Sequence, residues 1–148
     1  MALETDILDL QRNALLACFD PEALRLIAFN TDVRSLRKED ILFRQGEPAD
    51  GGYFVQSGSM VLMSTESEQI HAEGSLLGET ALLVETTRPA TAVALENVSV
   101  RRIPRHLVQR ILSEYPDTLS RVNLYLRQNT EELEQRLRRL DAILPNLD

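Results

Sequence analysis

Between residues 31 and 103 no apolar segment runs longer than about five residues before a turn former interrupts it. Candidate strands fall at 33–36, 41–43, 53–56, 60–63, 70–72, 90–95 and 98–103. Between them stand Lys38-Glu39-Asp40, Gly46-Glu47-Pro48, Asp50-Gly51-Gly52, Ser57-Gly58-Ser59 and the polar run 64–68. Parallel strands need crossover connections of a dozen or more residues, usually helical, and these gaps are too short for them. Antiparallel hairpins wound into a sandwich or barrel remain. The fold class predicted is therefore mainly β with flanking helices: short antiparallel strands over 31–103, N-terminal helices over 1–30, and helices over 104–148.

The flanks carry helical signals. Residues 1–19 read as a first helix, with Ile7, Leu10 and Leu15 roughly in register. Asp20-Pro21-Glu22 reads as a restart, with Asp20 as cap, Pro21 at the first helical position and Glu22 at the positive dipole end. The helix it opens puts Leu24, Ile27 and Ala28 on one face. Pro104 opens another short helix containing Leu107 and Ile111, and Tyr115-Pro116-Asp117 restarts a long one. Along the latter, Leu119, Val122, Leu126, Leu133, Leu137, Leu140, Leu144 and Leu147 recur at steps of three and four, with Asn129 in the gap. Such a narrow stripe packs on a partner helix, and a parallel homodimer is the simplest partner. The alternative is a helix folded back on its own domain.

At 148 residues the chain has the size of one domain. It carries 16 Lys and Arg against 23 Asp and Glu, a net charge of -7. An acidic domain repels nucleic acid, so direct DNA binding is not expected, whereas one buried arginine can still hold a small anion. No apolar run reaches the roughly 18 to 20 residues of a membrane span, and no basic start precedes an apolar stretch, so a cytoplasmic protein is expected. The single cysteine, Cys18, reads as a small core hydrophobe. Two histidines, His71 and His106, are too few for a cupin-type metal site and read as solvated or satisfied residues. No nucleophile–base pair and no phosphate-loop lysine motif is visible, so no enzyme is expected.

One stretch carries chemistry. Gly78 permits a tight entry from a strand into a short helical turn over 79–84, which would aim the amides around Thr80 and Ala81 outward as an anion site. Arg88, nine residues after Glu79, would start the next strand and return a forked cation to the same place. The Glu79 carboxylate suits a hydroxyl donor rather than a phosphate. An anion pocket beside an acceptor is suited to a phosphorylated sugar. In the alternative reading Glu79 and Arg88 pair with each other, or Arg88 with Glu85, as structural ion pairs.

Gly78-Glu79-Thr80-Ala81-Leu82-Leu83, followed by Arg88-Pro89-Ala90-Thr91, resembles the phosphate-binding cassette of the cyclic-nucleotide-binding domain family. That family includes catabolite-activator-type regulators, kinase regulatory subunits and nucleotide-gated channels. The glycine-marked run 41–59 and Arg102-Ile103-Pro104-Arg105 resemble the same family in order, and the likeness spans about 20–116. The resemblance implies one domain overall, an antiparallel β-roll of the jelly-roll type over 31–103 with its cassette at 74–91. It implies that the Gly78 backbone and Glu79 hold a ribose hydroxyl, and that the Thr80 and Ala81 amides with Arg88 hold a cyclic phosphate. Pro89 and Ala90 would complete the arginine end, and Leu62 and Leu77 would wall the sugar and base. Pro89 departs from the family pattern, where Ser, Thr or Ala often follows the arginine. It offers neither an amide hydrogen nor a hydroxyl, which removes a phosphate contact and the hydroxyl that favours guanine. Leu133 and Glu134, near the purine-reaching helix positions, do not match the paired hydroxyl residues of the bacterial activator, and Asn129 and Thr130 lie a turn away. The expected ligand is cyclic AMP before cyclic GMP, with no cofactor, and output through the C-terminal helix to an effector or domain outside these residues. The alternative from another class is a ligand-free dimerisation scaffold.

Overall fold

The computed structural model describes the backbone of residues 2–143 and the side chains of residues 4–129. Helices α1 (Ala2–Leu10) and α2 (Pro21–Asn30) precede ten strands, and α3 (Arg105–Glu114) and α4 (Pro116–Ile143) follow them. The strands are β1 (Val33–Leu36), β2 (Ile41–Phe43), β3 (Pro48–Ala49), β4 (Gly51–Ser57), β5 (Met60–Met63), β6 (Glu68–His71), β7 (Leu76–Leu77), β8 (Thr86–Thr87), β9 (Thr91–Ala94) and β10 (Val98–Pro104). They form two four-stranded antiparallel sheets, in the orders β1-β10-β4-β7 and β2-β9-β5-β6, with a two-stranded ribbon of β3 and β8. The antiparallel roll with flanking helices is the predicted class.

Three strands were not legible. β3, β7 and β8 have two residues each, too few for alternation to show. The first helix is also shorter than the predicted 1–19. It ends at Leu10, because the Asn13 side chain accepts the amides of Leu15 and Leu16 at 3.0 and 3.2 Å and starts a separate turn at Leu16–Cys18. An asparagine that captures nearby amides competes with a continuing helix. Asn13 also donates to the Gly74 carbonyl at 3.2 Å, which fixes this corner to the roll. Asp20 precedes α2 as predicted, but its side chain does not cap the helix. Its carboxylate pairs with Arg121, and its amide donates to the Thr118 hydroxyl at 3.0 Å, so this residue ties α2 to α4.

β4 is buried on both faces. Phe54 points into a core shared with Leu10, Leu24, Ile27, Leu82, Ile103 and Ile111, and Val55 into the roll interior with Met60, Leu77, Ala92, Ala94 and Val100. One strand thus joins the helical layer to the roll. At its start, a Cβ on Gly51 would stand 2.1 Å from the Ile103 carbonyl, so only glycine lets β4 approach β10 this closely.

Arg101 fastens the N-terminal helices to this frame. It is 4% exposed and pairs with Asp6 at 3.1 Å. Its Nη1 donates to the Ala28 and Thr31 carbonyls and to the Thr31 hydroxyl. In α4, Val122 is buried against the helical core and Leu126 half-buried, while Leu119 and Leu124 are 39% and 57% exposed. The predicted stripe beyond Asn129, Leu133, Leu137, Leu140, Leu144 and Leu147, lies outside the described side chains, as do Thr130 and Glu134.

Removing Arg101 strands the Asp6 carboxylate and three oxygens. Arg101→Ala should lower unfolding free energy by about 3 kcal/mol in urea titration, the order expected when one member of a buried ion pair is deleted. A loss under about 0.5 kcal/mol, typical of surface substitutions, would show that α1 is held without it.

Candidate functional site

The site grows from the glycine entry that follows β7. Gly78 has φ +79°, a conformation that L side chains rarely adopt. A Cβ there would stand 2.4 Å from Arg88 Nη1, so the missing side chain also makes room for the guanidinium. The helical turn Thr80–Leu82 follows, as the composition of 79–84 predicts. Ala81 does not keep its amide free for an outside anion, however. It donates to the Gly78 carbonyl at 3.1 Å and closes the turn on itself.

Arg88 does not begin a strand. It lies between β8 and β9, which starts at Thr91, and two backbone bonds hold it in place. Its amide donates to the Glu47 carbonyl, and its carbonyl accepts from the Gly46 amide, both at 2.8 Å. The side chain turns inward and the residue is 5% exposed. Its guanidinium carbon stands 4.3 Å from the Phe43 ring centroid and 5.6 Å from that of Tyr53, and these two rings stack at 5.9 Å. Cation–π contact of this kind holds a desolvated guanidinium without neutralising it. Nη1 is buried with no hydrogen-bond partner. Among the described residues no carboxylate forms an ion pair with Arg88. Burial pulls its pKa below the ordinary arginine value, opposed first by Tyr53 and then by the negative fields of Asp50 and Glu47. Asp50 itself is engaged by Arg102.

A cavity of about 330 Å³ opens beside this cation. Gly78, Glu79, Thr80, Ala81, Arg88 and Pro89 line it, together with Ala49, Thr86 and Thr87. Six of the nine predicted site residues thus meet at one cavity. Leu77 has no exposed surface and belongs to the roll core, Leu62 packs half-buried at that core's margin, and Ala90 is half-buried outside the lining.

Glu79 corrects a further expectation. Its carboxylate accepts a hydrogen bond from the Tyr125 hydroxyl of α4, and its charge also acts on the Cys18 thiol. Glu79 thus lines the cavity and also meets Tyr125, and neither the Glu79–Arg88 nor the Glu85–Arg88 ion pair forms. Burial raises the Glu79 pKa above the usual carboxylate value, against the Tyr125 hydrogen bond, which lowers it. Cys18 is half-buried against the helical core, and burial pushes its thiol pKa up. His106 is exposed, whereas His71 is not satisfied as expected: its Nε2 is buried without a partner, and burial lowers its pKa.

Phe43, Tyr53 and Tyr125 were missed as site residues. In the sequence the first two read as strand hydrophobes and the third as a helix position, and no local pattern says which side chain lies under an arginine. Thr86, Thr87 and Ala49 were missed because the β3–β8 ribbon was not seen.

The sequence profile described as "Cyclic nucleotide-binding domain" matches residues 33–115, all ten strands and α3. The chain belongs to the cyclic nucleotide-binding domain family. A solved structure of a cyclic nucleotide-binding-like protein from Brucella abortus is 38% identical, with a TM-score of 0.64 over 74% of this chain and 98% of that one. Among curated relatives, a lysophospholipase nte1 of Aspergillus fumigatus is 27% identical over 122 residues, covering 78% of this chain and 8% of its own length. A cAMP-dependent protein kinase regulatory subunit of Candida albicans is 29% identical over 112 residues, covering 75% of this chain and 24% of its own. This cyclic nucleotide-binding domain therefore spans only a small part of those curated relatives.

The raised Glu79 pKa has a signed consequence. A carboxyl whose folded value is raised stabilises the fold fully below the ordinary range and loses that contribution as pH rises through the folded value. Glu79→Gln stays neutral throughout. From about pH 4 upward to about pH 7, the wild-type melting temperature should fall relative to that of Glu79→Gln. A constant difference across that range would place Glu79 in an unperturbed setting.

Proposed function

We propose that this chain is a regulatory sensor that binds a cyclic nucleotide, cyclic AMP in first place, at the cavity beside Arg88. The observation that carries the reading is a buried, unneutralised guanidinium with one unpartnered nitrogen, on a residue that lines a glycine-entered cavity. Burying a cation costs free energy unless something compensates it, and a phosphate anion compensates both the charge and the free N–H. A cavity near 330 Å³ falls within the size range of small-molecule sites. Cyclic AMP is favoured over cyclic GMP because Pro89 supplies no hydroxyl, and because one relative is named as cAMP-dependent. The role is binding and relay, with no catalysis, in a cytoplasmic bacterial protein. Among the described residues no helix is long and apolar enough to cross a membrane.

The relay runs through Glu79. Tyr125 donates toward its carboxylate, and a ribose 2′-hydroxyl is a donor seeking the same oxygens. Nucleotide and Tyr125 compete for one acceptor, so occupancy shifts the packing of α4 by the difference in affinity between the two arrangements. At 28 residues α4 extends about 42 Å and exposes Leu119 and Leu124, which favours a homodimer through this helix. The closed Ala81 amide and the engaged Glu79 favour a second reading, a ligand-free scaffold with the same roll and helix.

A titration with cyclic AMP and cyclic GMP separates the two. At a hundredfold excess over Kd, the wild type should gain about 2.7 kcal/mol of stability and Arg88→Ala none. No response to either nucleotide at millimolar concentration leaves the scaffold. In the same titration Tyr125→Phe removes the competitor, so cyclic AMP should bind about fivefold more tightly, the equivalent of one ordinary hydrogen bond. Unchanged affinity would exclude the Glu79 relay. Sedimentation at tens of micromolar should give twice the 16.7 kDa chain mass, and a monomer would exclude the helix-mediated dimer.

A further inference from the structure

Arg105 is the first residue of α3, and its side chain reaches back across the wall of the cavity. Its Nη1 donates to the Ala49 carbonyl at 2.8 Å and to the carbonyls of Ala81 and Val84 at 3.2 Å each. Its own amide donates to the Asp50 carbonyl at 2.7 Å. Ala49 and Ala81 both line the cavity, one from β3 and one from the turn after Gly78. A single guanidinium nitrogen therefore joins the ribbon strand, the middle of the cassette turn and the residue that closes it at 84 to the start of α3. The turn has little else of this kind. It is one helical turn, closed by bonds of 3.0 to 3.1 Å between residues 78 and 84, and isolated turns of that length are not stable alone. A lysine also carries its donors on one nitrogen, but that nitrogen ends nearer the backbone and is tetrahedral rather than planar, so it does not take the same three carbonyls from this position.

We infer that Arg105 is a positioning residue for the anion cradle. It holds the turn after Gly78 at the distance from Arg88 that a cyclic phosphate requires, and it couples that turn to α3. This rests on the reading that the cavity takes a cyclic nucleotide. Arg105 does not line the cavity, so its effect on a ligand passes through the backbone it holds.

The test uses Arg105→Gln and Arg105→Lys, with Arg110→Ala as a control for charge loss on the exposed side of the same helix. Without nucleotide, amide hydrogen exchange at Leu82, Leu83 and Val84 should quicken at least tenfold in both Arg105 variants, about one hydrogen bond's worth of local opening, and stay unchanged in Arg110→Ala. With nucleotide, cyclic AMP affinity should fall about tenfold or more, the order of one hydrogen bond to a charged group. The two phosphorothioate diastereomers of cyclic AMP probe the cradle more directly, since each places sulfur at a different phosphate position. Wild type should discriminate between them, and the Arg105 variants should bring that ratio toward unity, which a general loss of stability would not do. Unchanged exchange overturns the clamp. Faster exchange with unchanged affinity and diastereomer ratio makes Arg105 a purely structural clamp and overturns the positioning role. A wild type that binds no nucleotide, by contrast, removes the proposed function and this inference with it.

Discussion

A cation buried without a counter-ion is the constraint around which the rest of this domain is arranged. Arg88 keeps only a twentieth of its surface exposed and has no carboxylate partner among the described residues. An unpaired buried charge is among the costliest features a fold can hold, so each neighbour has to limit that cost. Phe43 and Tyr53 offer their ring faces, the backbone of Gly46 and Glu47 pins the residue from outside, and Gly78 gives up its side chain to make room. Asp50 and Glu47 supply a favourable field from a distance while Asp50 stays committed to Arg102. The unmet remainder, one buried Nη1 on a residue that lines the cavity, is what an anion would satisfy.

The roll makes this possible because its two cores share a strand. β4 sends Phe54 into the helical layer and Val55 into the roll, so displacement of the cassette is felt by both. The cassette in turn touches the helices twice. Glu79 meets Tyr125 on α4, and Arg105 at the start of α3 holds the carbonyls of the turn. These are short, direct connections from the cavity to the elements that leave the roll. A regulatory domain needs such contacts, since a ligand can bias only those groups whose free energy differs between its free and bound states.

Much of this was legible locally. The turn formers between short apolar runs implied hairpins, and Pro21, Pro104 and Pro116 marked where helices begin. The Gly78 to Ala81 run and Arg88 were recognisable as one cassette, and the structure does bring them to one cavity. What was misread depended on partners distant in the chain. Asn13 ended α1 by capturing local amides and the Gly74 carbonyl, and Asp20 left its capping role for Arg121, about a hundred residues away. Leu77 packs in the roll core and Leu62 at its margin.

The order of short strands, the position of the cassette and the acidic surface were set by residue type and spacing, because turn propensity, periodicity and charge are properties of neighbouring residues. Tertiary structure alone decided that Arg88 rests on Phe43 and Tyr53, that Glu79 faces Tyr125, and that Arg105 grips the cassette from behind. Each of these joins groups 21 to 46 residues apart, and such contacts exist only once sheets and helices have packed. No local pattern records which of several possible partners a long side chain will meet across a core.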